Sequence, residues 1–584
     1  MAAGVHTSFQ DNMNELLWFN KVANITFTEG RLLDIQTDQP SILTFTRCNN
    51  ITVNNLTSSG CSASGAILTS INATGNSDDN PPTNFVVTQS NFSASQAGAI
   101  SIQNSAGYLT ATIIDNVVPA SGVSAVSVLN EDGSAFAVSG CTFSNIQAPA
   151  AGPNTPFQSA DAEPPPASAL YIMAESLTIG DSTFTNNTAL QGAAIYLDIP
   201  ADLDNNPTSH IVRNVFQSNF ALYYGGAVFV SGSSGAANEL VTVDECQVHD
   251  CASVFSGAFT TFGVAQLVIA NSSFTGSAKN RGSLGASAVY VYGLSGRFSS
   301  AVIVNSVFSN IASIASETLV RLFTCKCVGV LNSTFASSGS SGLYIEDVSG
   351  SCEVDAKNDR GIYNAGVLFL RDTVVTGAGS PDASNEISQA LGGDVSSQIS
   401  VDIRASSFLN NTIHIQNTSA DPVVGFGAVT LLSVRTVLLS EVTASGNTGR
   451  QGAAIHLDAI FAVVIWNSTF MNNSAAYEGG AVAMVNSHGP GIWLGATHFS
   501  GNSAWRGGAI YGSLGTKIII AGESTLENNT AATRGGAVYC AGSSQVKMQD
   551  CVISGNNAND AGGGCYCDAC QELLVNSARV SYNR

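Results

Sequence analysis

Charge is what this chain has least of. Only 11% of its 584 residues are charged, and 21 Lys and Arg face 42 Asp and Glu, for a net charge of −21. A face basic enough to hold nucleic acid or an anionic membrane is therefore not expected. Long apolar runs are missing too. The best is AIFAVVIW, Ala459 to Trp466, which reads as a buried strand and falls short of the ~18 residues a membrane helix needs, so no transmembrane segment is read. The first residues, MAAGVHTSFQDNMNELLWF, lack a basic stretch followed by an apolar core, so no secretory signal is read there. Strong helix formers give way to Gly, Ser, Asn, Thr and Ala, a composition that suits short strands joined by turns.

What is present is a repeat. QGAAIHL at Gln451 is followed by STFMNNSAAYEGGAVAM from Ser468, THFSGNSAWRGGAIYG from Thr497, STLENNTAATRGGAVYC from Ser524 and CVISGNNANDAGGGCYC from Cys551. The central small residues Ala454, Ala481, Ala509, Ala537 and Gly564 lie 27, 28, 28 and 27 residues apart. A period of that size marks a stacked solenoid, which grows by adding turns to one continuous core. The expected fold is all-β, a parallel β-helix running over residues 1–584 as one solenoid, with on the order of fifteen rungs. Its clean array spans 426–567, and loop insertions are expected near 147–167, where six of the 15 prolines fall, and near 377–397. The chain ends at Arg584 part-way through a repeat-like strand, ELLVNSARVSYNR, so a segment of a longer protein is expected.

Aligned copies assign each column a task. Phe184, Phe216, Phe470 and Phe499 form an aromatic column that should stack inside the coil. Three residues later come Asn187, Asn219, Asn473, Asn502, Asn529 and Asn556. An inward amide at a strand corner can bond its equivalent in the next rung, giving a ladder that pins register. The Gly-Gly-Ala element supplies a sharp bend and a small side chain against the opposite wall.

The alternation of GGAV, GGAI and GAAI tetrads at Gly192, Gly225, Gly452, Gly479, Gly507 and Gly535 with FxxN tetrads at Phe184, Phe216, Phe408, Phe470 and Phe499 resembles the repeats of the polymorphic outer membrane protein family. The resemblance implies a right-handed parallel β-helix displayed outside the cell and associated with adhesion. Bacterial members end in a β-barrel translocator that this sequence does not contain. Similar repeats occur in surface or secreted proteins of algae and other protists.

Thirteen cysteines leave at least one without a partner in the chain. Cys141, Cys246 and Cys551 occupy a column held elsewhere by Ser and read as interior filler. Cys540 and Cys567 sit at equivalent places in consecutive rungs, about 5 Å apart for stacked strands, and a disulfide is expected between them. Cys565, Cys567 and Cys570 spell C-x-C-x-x-C, but no second pair at finger spacing supports a metal site. Thirteen N-x-S/T sequons point to a secreted glycoprotein, or arise because the repeat is rich in these residues.

No catalytic residue, cofactor or metal is expected. Acidic pairs at Asp78-Asp79, Glu131-Asp132, Asp244-Glu245 and Glu346-Asp347 are neighbours that point to opposite faces of a strand, and His456, His488 and His498 fall at unrelated positions. The reading is a non-enzymatic extracellular or cell-surface β-helix that binds a surface, matrix or glycan ligand. A polysaccharide lyase or hydrolase is the alternative, requiring acids from several rungs to converge, and a bacterial autotransporter passenger is the other.

Overall fold

The computed structural model describes residues 17–71, 84–119, 124–130, 135–147, 168–174, 176–199, 207–232, 239–276, 286–293, 299–311, 318–323, 325–336, 341–346, 352–356, 359–363, 367–376, 400–411, 427–487, 489–542 and 544–584. Apart from Gln147, the two expected insertions lie outside the described residues. Every helix or strand assigned among these residues is a strand, and no helix is long and apolar enough to cross a membrane.

One rung shows the construction. Val482–Val485 lies on face 1, Gly491–Gly495 on face 2, His498–Ser500 on face 3 and Ser503–Arg506 on face 4, after which Ile510–Gly512 begins face 1 of the next rung. Each strand pairs in parallel with its equivalent one rung away: Phe470 with Phe499, Phe499 with Leu526, Val482 with Ile510. This is a parallel β-helix. The strands are short because three or four corners must fit into about 28 residues, and corners consume Gly and Asn.

The chain divides into two compact units, Met1–Arg297 and Phe298–Arg584. Among the described residues of the first, face 2 carries nine strands, from Ala23–Thr28 to Gln266–Ala270, and face 4 carries three. Among those of the second, face 2 carries ten, from Ser299–Val304 to Glu572–Asn576, and face 4 carries five, from Thr448–Gln451 to Asn557–Ala558. Among the described residues one antiparallel pair interrupts the parallel stack, Cys352–Ala356 with Asp359–Tyr363.

Burial alternates along each strand as the pleat requires. On Ala462–Trp466, Val463 and Ile465 point inward and Trp466 outward. Inside, equivalent side chains stack rung upon rung. Phe143 and Phe184 lie 4.7 Å apart and Phe470 and Phe499 4.9 Å apart, all fully buried with near-parallel rings. Burying one such ring contributes about 1.5–3 kcal/mol, and the stacked geometry adds ~0.5–1.5 kcal/mol per pair.

The two glycines of the GGA element do different work. Gly507 has φ of 63°, and a Cβ there would lie 2.3 Å from the Ile510 carbonyl oxygen of its own rung. Gly508 has an ordinary φ, but its Cβ would lie 2.2 Å from the carbonyl oxygen of Gly536 in the next rung. The first glycine allows the bend, and the second allows the rungs to approach.

Candidate binding face

The asparagines are joined through the interior. Asn473 donates to Asn502, Asn502 to Asn529 and Asn529 to Asn556, each amide nitrogen to amide oxygen at 2.9 Å, and all four are fully buried. Asn187 donates to Asn219 at 2.9 Å in the first unit. Each amide is satisfied on both sides. The second N–H of Asn502 reaches back to the Phe470 carbonyl at 3.0 Å, and its oxygen also accepts the Asn473 backbone N–H at 3.0 Å. Asn447 and Asn583 extend the run, each with an amide contact at 2.8–2.9 Å to a neighbour. Asn447 was missed in the sequence because Ala444 replaces Phe in its tetrad; the Asn three residues on was the usable signal.

A second corner column lies between faces 2 and 3. Ser182 and Ser468 donate to the carbonyls two residues back at 2.8 Å, and Cys141 and Cys246 do the same through sulfur at 3.3–3.4 Å. These cysteines are substitute corner donors. Burial pushes both thiols up to about 11, so they stay protonated.

The expected Cys540–Cys567 disulfide is not formed. The two residues are register partners, yet both carry free thiols. In-register residues of a parallel ladder project side chains in the same direction, a strand spacing of about 4.8 Å apart, whereas a disulfide needs Cβ atoms converging to ~3.8 Å. Cys327 is disulfide-bonded instead.

The corners also explain the sequons. Of the eleven described sequon asparagines, ten (Asn24, Asn50, Asn55, Asn186, Asn271, Asn332, Asn410, Asn467, Asn472 and Asn528) have φ between 44° and 58°. Asn is the non-glycine residue that best tolerates this conformation. In the later copies the next residue is the buried Ser or Asn of a corner column, and a Thr or Ser then opens the following strand, as in Asn467-Ser468-Thr469 and Asn528-Asn529-Thr530. The corner thus spells N-x-S/T for structural reasons.

Among the described residues acids do not gather outside. Asp402 is held by the Arg404 guanidinium at 2.8 Å, with Arg371 at 3.9 Å, and Asp181 pairs with Arg213 at 2.7 Å. Asp244 accepts the Asn271 amide at 2.8 Å, while Asp78, Asp79, Glu131, Asp132, Asp347 and His488 lie outside the described residues. His498 contacts the Thr525 hydroxyl on face 3, and His456 is buried in face 1, where desolvation pulls its pKa down to about 3. Among the described residues no three His, Cys, Asp or Glu side chains are placed to hold a metal ion.

Aromatic and arginine side chains do gather on the outer faces of the second unit. On face 4, Tyr477 and Trp505 occupy adjacent rungs, 42% and 50% exposed, with the Arg450 guanidinium 5.4 Å from the Tyr477 ring centre. Beside them Glu478, Arg506 and Arg534 are successive register partners. Arg506 and Arg534 lie over Tyr539 and Tyr566, members of a stack whose rings are 5.5–5.6 Å apart. On face 2, Trp466 stacks on Trp493 at 5.3 Å and lies across Gly495, where a Cβ would come within 2.3 Å of the indole. In the first unit Tyr223 and Phe255 stack at 5.9 Å on and beside face 4. Tyr539 is buried beneath Arg506, whereas Trp466, Tyr477 and Trp505 are exposed; exposed rings with adjoining guanidinium groups suit an apolar, hydroxyl-bearing surface, because the ring takes the C–H face and the cation and carboxylate take polar edges.

The fold and its corners define a solenoid of the right-handed β-helix class, and residues 69–274 match the family described as right handed beta helix region. Residues 496–513 and 523–541 match the Chlamydia polymorphic membrane protein repeat, so the chain carries repeats of that kind. No curated protein matches the chain. Among solved structures a PL6 family alginate lyase, AlyGC, aligns over 96% of this chain and 96% of its own at 9% identity with a TM-score of 0.24. A likeness at that level carries no activity across.

Proposed function

We propose that this protein is a non-enzymatic β-helix displayed outside the cell, where it attaches to a polysaccharide-rich wall or matrix. The observation that carries the reading is the aromatic and arginine surface at Arg450, Tyr477, Trp505 and the Trp466–Trp493 pair, set on repeats whose interior columns are occupied by purely structural residues. Trp, Tyr and Arg are the residue types that concentrate binding energy, and rungs about 4.8 Å apart repeat such groups along a polymer. The polymorphic membrane protein repeats support the outer-surface location.

The test is binding of the purified chain to a panel of insoluble polysaccharides and matrix proteins, alongside Tyr477→Ala/Trp505→Ala and Trp466→Ala/Trp493→Ala variants. Retention on at least one polysaccharide, reduced about tenfold or more in one double variant with an unchanged circular dichroism spectrum, is expected. Equal retention of all three proteins would remove these faces from the argument. Release of reducing or unsaturated chain ends during the same incubation would overturn the non-enzymatic reading.

A further inference from the structure

The motif that neither the interior nor the binding face uses is C-x-C-x-x-C. Cys565 and Cys567 lie two apart on the strand Cys565–Asp568, so both point to one side, and their sulfurs are 4.0 Å apart. Ala569, at φ of 56°, then turns the chain and brings Cys570 back against the same side. The Cys570 thiol donates to the Cys540 carbonyl at 3.3 Å, and its sulfur interacts with that of Cys567. Four cysteines from two rungs therefore converge, with Cys567 contacting Cys565 on one flank and Cys570 on the other. Cys565, Cys567 and Cys570 are partly exposed, unlike the buried Cys141, Cys246 and Cys251.

We propose that Cys567 and Cys570 form a dithiol exchange site, in which Cys567 attacks a small or protein disulfide and Cys570 resolves the product. The Cys567 sulfur, as thiolate, attacks one sulfur of a disulfide RSSR. A mixed Cys567–SR bond forms, the S–S bond of RSSR breaks and RS⁻ leaves. Cys570 then gives up its proton and attacks the Cys567 sulfur, expelling the second RS⁻. The chain gains one disulfide, RSSR is reduced to two RSH, and the protons of the two cysteines supply those thiols. The surroundings favour this division of labour. The Cys565 hydrogen bond, opposed by burial and aided by Cys570, holds the Cys567 thiol down at about 6, whereas burial pushes the Cys570 thiol up. A metal is not the ligand inferred, because the described donors do not form a group of three placed to bind one.

The experiment uses the full chain, reduced and then titrated with oxidised glutathione, with differential alkylation and peptide mapping as the readout. The expected product is a Cys567–Cys570 disulfide, its formation releasing two glutathione molecules beyond those released as the Cys327 disulfide re-forms, while Cys141, Cys246 and Cys251 stay reduced. Cys570→Ser should trap glutathione on Cys567. Cys565→Ala should move the pH midpoint of Cys567 alkylation upward, since its main stabilising hydrogen bond is gone, a shift that a purely structural thiol would not show. A product joining Cys540 to Cys567 or Cys570, or alkylation of Cys567 no faster than that of Cys551, would overturn the assignment.

Discussion

Replacing Asn502 by Ala tests whether the amide ladder holds the rungs in register. The side chain makes four contacts: its oxygen accepts the backbone and side-chain N–H groups of Asn473 at 3.0 and 2.9 Å, and its nitrogen donates to Phe470 and Asn529 at 3.0 and 2.9 Å. Truncation leaves the two Asn473 donors buried without an acceptor, at about 1–3 kcal/mol each. The Asn529 oxygen keeps the Asn502 backbone N–H at 3.0 Å and loses less. A destabilisation of about 3–5 kcal/mol is expected, concentrated in neighbouring rungs because a solenoid couples only adjacent repeats. Equilibrium denaturation gives the size of the loss, and hydrogen exchange at the Asn473, Asn502 and Asn529 amides gives its location. Asn502→Asp sharpens the test. At neutral pH its added oxygen would face two acceptors, so it should be less stable than Asn502→Ala, and it should recover as pH falls. Its folded pKa is raised above the unfolded value of about 3.9, so the penalty grows as pH rises through that value. A loss under about 1 kcal/mol for Asn502→Ala with unchanged exchange, or an Asp variant more stable than the Ala variant at pH 7, would refute the ladder.

Three further outcomes follow from the corners and the core. Gly508→Ala should cost more than about 3 kcal/mol in denaturation, because its Cβ would meet the next rung's backbone at 2.2 Å, whereas Gly180→Ala, whose nearest new neighbour is 3.6 Å away, should fold normally. His456, buried with its pKa pulled down to about 3, should add one proton to the acid limb of stability. The unfolded chain takes up that proton below about pH 6.5 and the folded chain only near 3, so stability falls through that window with a slope of ~1.4 kcal/mol per pH unit. His456→Leu should flatten the slope measured between pH 6 and 4. Thr530→Ala removes the Asn528 sequon but leaves the left-handed corner at φ of 55°, and its denaturation midpoint should stay near that of the parent, while Asn528→Val should lose about 1–2 kcal/mol.

The interior of this protein was legible because each column answers to one local constraint. A 27–28-residue spacing can be read without coordinates, and Phe, Asn and Gly at fixed offsets each imply a stacked ring, a bonded amide or a tight bend. Asn187, Asn219, Asn473, Asn502, Asn529 and Asn556 needed only their fixed offset of three residues from the stacked core position to be placed in one column. The two glycines of the GGA element were read as one bend, since nothing in the sequence separates a φ requirement from an approach between rungs. Register was likewise insufficient for Cys540 and Cys567: spacing made them neighbours, but the direction of their Cβ atoms keeps the sulfurs apart.

The sequence by itself determined the repeat, the parallel stacking and the identity of the core, because these follow from periodicity and side-chain size. Tertiary structure decided everything that depends on direction: which thiols meet across a corner, which arginine covers which tyrosine, and which aromatics face outward together. It also showed why Asn-x-Ser/Thr recurs. A left-handed corner, an inward polar residue and a strand opening write those three letters in order, and only the backbone torsions reveal that the corner is their author.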